Sequence, residues 1–85
     1  GNKKIVIDPK IRPPTKLKLT RRVANNNPLT QFVTTSPDAG DDLVVDCAMN
    51  AGAIIVTYNI RDFRSAKNDL GLQIMTPTQF VTNLA

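Results

Sequence analysis

The chain has no histidine and no glutamate, and it has a single cysteine, Cys47. These absences exclude a thiolate–imidazole pair, a histidine metal cage and an internal disulfide, because zinc sites draw on several cysteine or histidine ligands. No apolar run approaches the roughly 20 residues a membrane span needs. The opening Gly1-Asn2-Lys3-Lys4, followed by Ile5-Val6-Ile7, lacks the long apolar stretch of a signal peptide. The reducing cytoplasm is therefore the expected compartment, with no membrane partner. A glycine-rich phosphate loop and a serine nucleophile elbow are also missing. Cys47 reads as a small buried residue, since nothing in its neighbourhood activates a thiolate.

What remains is an ordinary small globular composition. Eighty-five residues make one domain near the lower limit for a single apolar core. The chain is 41% hydrophobic and 21% charged, as a folded domain is and a disordered tail is not. The net charge of +4 is unevenly spread. Lys3, Lys4, Lys10, Arg12, Lys16, Lys18, Arg21 and Arg22 place eight of the eleven cations in the first 22 residues, opposed only by Asp8. The later residues hold three cations and six aspartates. A basic segment on an acidic body suits nucleic-acid phosphates, although a solvated tail is the commoner use of such a run. The basic segment has no aromatic residue for stacking bases, so it is expected to grip phosphates without reading sequence.

The pattern divides the chain into a basic segment, 1–35, and a more regular part, 36–85. Ile5-Val6-Ile7, ended by Asp8-Pro9, reads as a buried strand. Pro13 and Pro14 are expected to exclude helix through residues 9–14. Residues 15–26 fit either a helix or a strand, and 29–35 a short helix or strand. Ser36-Pro37-Asp38-Ala39-Gly40 is a loop. Asp41 and Asp42 then open a helix whose apolar face comprises Val44, Val45, Ala48, Met49 and Ala51, with Gly52 as its stop. Ile54 to Thr57 is a second buried strand. A loop from Tyr58 to Phe63 follows, in which Tyr58 and Phe63 read as packing groups. Residues 64–69 are too short and polar to assign. Leu72 to Met75 is a third strand. Thr76-Pro77-Thr78-Gln79 is a capping box opening a last helix that turns Phe80, Val81 and Leu84 inward. Strands alternating with helices predict an α/β fold, a small parallel sheet with flanking helices.

This arrangement gathers acids at one edge. A helix of about eleven residues and a returning four-residue strand have similar lengths, roughly 16 and 13 Å. The helix start, with Asp41 and Asp42, therefore meets the loop after the strand, with Asn59 and Asp62. Asp8 joins them if the first strand runs parallel to the second. Ligands of open α/β sheets bind at such carboxyl ends, and crowded carboxylates call for Mg²⁺ or Mn²⁺. Each acid also has a plainer use. Asp41, Asp42 and Asp62 can act as caps, Asn59 can fill a left-handed position, and Asp46 can face solvent or a cation.

Asp41-Asp42, then Asn50-Ala51-Gly52-Ala53, then Ile55-Val56-Thr57-x-Asn59-x-x-Asp62-Phe63, resembles the closing half of a PIN domain. Gly71-Leu72-Gln73-Ile74-Met75-Thr76-Pro77-x-x-Phe80 extends the resemblance, which covers about residues 36–84. It looks closest to toxin-type ribonucleases of bacterial toxin–antitoxin pairs. The resemblance implies a three-layer α/β fold, truncated here. It also implies a Mg²⁺- or Mn²⁺-dependent endoribonuclease acting on single-stranded RNA. By position, Asp41, Asp42 and Asp62 would be catalytic, and Asp8, Asp41, Asp42, Asn59 and Asp62 would hold the metal. The eight early cations would hold RNA. An antitoxin protein and a second copy of the chain are the implied partners. The chain departs from the family pattern at Pro9-Lys10, where the family commonly has Thr-Asn. It also has no acid between Asp8 and Asp38, where another family acid falls. These departures point to an incomplete acidic site. The alternative is a non-catalytic module that binds RNA or pairs with a protein.

Overall fold

The computed structural model describes residues 3–26 and 29–83. Four strands form one sheet: β1 (Lys4–Ile7), β2 (Gln31–Phe32), β3 (Ile54–Val56) and β4 (Ile74–Met75). Their order is β2-β1-β3-β4 and every pairing is parallel. Helices α1 (Pro13–Asn26), α2 (Asp41–Ala51), α3 (Arg64–Leu70) and α4 (Pro77–Asn83) join and flank the strands. The expected α/β sandwich around a small parallel sheet is what forms.

Neighbouring side chains on a strand point to opposite faces, and the core divides accordingly. Val6 and Ile55 face Val44 and Ala48 of α2, together with Phe63 and Ala66. Ile5 and Val56 face Leu19 and Val23 of α1 and Phe80 of α4. So α1 and α4 cover one face, and α2 and α3 the other. Full burial of a side chain such as Phe63 stabilises the fold by about 1.5–3 kcal/mol. The chain leaves β1 for β2 on one side, then crosses back to β3 on the other. This reversal makes the carboxyl ends of β1 and β3 the switch point of the sheet, the place where ligands of open α/β sheets bind.

The basic segment is built into this core. β1 lies between β2 and β3, so strands from the basic segment and from the later part of the chain share one sheet. Pro13 and Pro14 do not exclude helix; they begin α1. The carbonyl of Arg12 accepts from the Thr15 and Lys16 amides at 3.1 Å, and the first-turn positions held by the prolines need no amide donor. Residues 15–26 are helix because Leu19 and Val23, four apart, both reach the core, while Leu17 stays exposed. The 29–35 stretch supplies only the two-residue β2.

The later half follows its local signals closely. Gly52 adopts φ 66° and ends α2, with its amide reaching back to Ala48 and Met49. The Thr76 hydroxyl accepts from the Gln79 amide at 3.1 Å, and the Gln79 side chain accepts from the Thr76 amide at 3.0 Å, which closes the expected capping box. Phe80 is buried and Val81 is half-buried, whereas Leu84 lies outside the described residues. Several expectations need correction. Residues 64–70 form α3, anchored by buried Ala66 and ended by Gly71 at φ 71°. Met49 is exposed, leaving Val44 and Ala48 as the buried residues of α2. Tyr58 is 59% exposed and does not pack inward, although Phe63 does.

Candidate functional site

Asp8 follows β1 at this switch point and is 2% exposed. Its backbone amide donates to the Val56 carbonyl at 2.9 Å, which extends the β1–β3 ladder by one step. The parallel register thus brings Asp8 to the end of β3, where Thr57 is fully buried. The Thr57 hydroxyl donates to Asp8 Oδ2 at 2.7 Å, and the Lys10 amide donates to Oδ1 at 3.0 Å. Thr57 Oγ1 also accepts from the Asn59 amide at 3.0 Å, fixing the start of the following loop. A buried polar group is costly unless it is paired, and both Asp8 oxygens are paired.

Asp41, Asp42 and Asp62 come together as the chain geometry requires. They line one groove of about 560 Å³ between α2 and α3, joined by Asp46, Ser65 and Asp69. Asp41 and Asp42 occupy the first turn of α2, but Gly40 is the residue at the cap position and no side chain caps the helix. Neither carboxylate is used as a cap, and both are favoured by the helix dipole. Asp62 sits in a 3₁₀ turn, Ile60–Phe63, that leads into α3. Asn59 is exposed at φ −97°, so it does not fill a left-handed position, and it is not part of the groove lining.

Lys10 changes the chemistry of this edge. Its ammonium donates to Asp41 Oδ1 at 2.9 Å, while its own amide holds Asp8. Its side chain is about half-exposed. The hydrogen bond to Asp41 raises the Lys10 pKa above its ordinary 10.5, opposed by desolvation, and the charges of Asp41, Asp8 and Asp62 add to the rise. The pair's contribution to stability is thus complete below about pH 10 and is lost as pH climbs through the raised value. Lys10→Gln is expected to leave folding almost unchanged at neutral pH, because an exposed ion pair adds little. Thermal melts of the two proteins should coincide in alkaline solution.

The resemblance implies Mg²⁺ or Mn²⁺ at this edge, and the donor set does not match that expectation. Among the described residues, no three acidic or cysteine side chains are grouped so as to hold an ion. Asp8 is committed to Thr57 and the Lys10 amide, and Asp41 to the Lys10 ammonium.

The cations are distributed around the fold, with no separate arm. Lys3 and Lys4 stand at the start of β1, and Lys10 and Arg12 follow its other end. Lys16, Lys18, Arg21 and Arg22 lie exposed on α1, which contains no acid. Because α1 covers one sheet face and α2 and α3 the other, the basic surface and the acidic groove are segregated. The sequence reading missed Thr57 as the partner of Asp8, Lys10 as the counter-ion of Asp41, and Asp46 and Asp69 in the groove. Thr57 was detectable, because it lies one step beyond the register partners Ile7 and Val56. No protein-family model, curated protein or solved structure matches the chain.

Proposed function

We propose that this chain is a PIN-like module that binds single-stranded RNA through the cationic face of α1 without metal-dependent cleavage. The observation that carries this reading is the charge of α1. Lys16, Lys18, Arg21 and Arg22 are all exposed on a helix without a single carboxylate. Such a surface releases counter-ions when it meets a phosphate backbone, and that release drives binding independent of sequence. The acidic edge lies on the other side of the sheet, where it is neutralised in part by Lys10.

A second reading is the metal-dependent endoribonuclease, the toxin of a toxin–antitoxin pair. It is favoured by the position of Asp8 at the carboxyl ends of β1 and β3 and by the five aspartates lining the groove between α2 and α3. Asp41, Asp42 and Asp62 would then supply the catalytic carboxylates, and Asp8 and Asn59 further ligands. The two readings separate when protein and single-stranded RNA are incubated in Mn²⁺ and in EDTA, then resolved on native and denaturing gels. The binding reading expects a retarded band under both conditions and intact RNA. Cleavage that needs Mn²⁺ and is abolished by Asp42→Asn and by Asp62→Asn would replace it with the enzyme.

A further inference from the structure

Tyr58 is the chain's only tyrosine, and it follows β3 at the carboxyl edge, 59% exposed. Two of the three phenylalanines, Phe63 and Phe80, are buried in the core, and Phe32 is half-buried. A side chain that is mostly exposed and contributes little to packing is available to a ligand. Its surroundings narrow the ligand's chemistry. Tyr58 lines a groove of about 320 Å³ between α1 and α4, together with Lys18, Thr15, Pro77, Thr78 and Thr82. Tyr58, Lys18 and three threonines thus line one groove, and the rest of the α1 surface carries further cations.

We propose that Tyr58 and Lys18 form a nucleotide subsite for single-stranded RNA, with an unpaired base stacked on the phenol ring and a backbone phosphate on the ammonium. Three features select this occupant. The groove's volume is at the small end of ligand pockets, suited to one nucleotide rather than a folded partner. The cation beside the ring complements a phosphate. An aromatic face takes any unpaired base, whereas bases in a duplex are covered by their neighbours. The subsite rests on the RNA-binding reading and adds to it a base contact that a purely phosphate-binding helix lacks.

With no tryptophan in the chain, intrinsic fluorescence at the tyrosine band reports on Tyr58 alone. Titration with an eight-residue oligoadenylate is expected to quench that emission to saturation. An abasic ribose–phosphate oligomer of equal length should bind more weakly and leave the emission unchanged. Tyr58→Phe should retain affinity in an anisotropy assay with labelled oligoadenylate, and Tyr58→Ala should lose about tenfold. Lys18→Ala should reduce the salt dependence of binding. Oligoadenylate that binds by anisotropy without quenching, or equally well to Tyr58→Ala, overturns the subsite while leaving RNA binding by α1 intact. Absence of any binding to wild-type protein overturns both.

Discussion

Replacing Asp8 by alanine lowers the unfolding free energy by about 3 kcal/mol, the largest single loss expected outside the apolar core. The carboxyl group is 2% exposed and accepts from the Thr57 hydroxyl at 2.7 Å and from the Lys10 amide at 3.0 Å. Alanine removes both acceptors and leaves the buried Thr57 hydroxyl without its partner. Each lost bond to a carboxylate costs roughly 1.5–3 kcal/mol, and the vacated space adds to that. In a domain of this size the change corresponds to a fall in Tm of more than about 10 °C. Asp8→Asn keeps the shape and one acceptor, and should lose at most about half as much. Chemical denaturation of Asp8→Ala, Thr57→Val and the double variant gives the coupling directly. Neighbours in one hydrogen-bond network are expected to couple by about 1–2 kcal/mol. Additive losses would mean that the contact contributes nothing of its own.

Removing charge from α1 has the largest expected effect on binding. Lys16→Gln, Lys18→Gln and Arg21→Gln together delete three exposed cations without touching the buried Leu19 and Val23. Each phosphate contact contributes about 0.7 to the slope of log affinity against log salt for a single strand. Three contacts therefore account for about 2 units of slope, or a loss near 50-fold at roughly 0.15 M salt. Far-UV circular dichroism should show the helix content unchanged, since glutamine is nearly as good a helix former as lysine or arginine. A triple variant that binds as tightly as the parent would remove α1 from the interface.

The elements most legible in the sequence were those whose signals are local. Gly52, with its left-handed turn, and the reciprocal Thr76–Gln79 cap need only a few neighbouring residues, and both formed as read. The acidic groove was legible because helix and strand lengths alone bring Asp41 and Asp42 to Asp62. Interactions that depend on distant parts of the chain were less visible. Residues 15–26 carried no decisive period until Leu19 and Val23 met Phe80, more than fifty residues away. Residues 64–70 have little helix-forming pattern of their own, and Ala66 becomes a core residue only because α3 lies over the sheet. Pro13 and Pro14 misled because prolines interrupt a helix interior yet suit its first turn. Lys10 counted as one of eight early cations, and only the fold showed it turned back onto Asp41.

That turn of Lys10 and the segregation of α1 from the acidic groove support the proposal that RNA is held by the basic face and that the carboxylates do not act on it. The most direct measurement is the affinity of wild-type protein for a labelled single-stranded RNA across a salt series, in EDTA and again in Mn²⁺. The account predicts a steep linear decline of log affinity with log salt in EDTA, binding that Mn²⁺ weakens at low salt by competing for the phosphates, and full-length RNA recovered from both. Binding or cleavage that appears only with Mn²⁺ would contradict it.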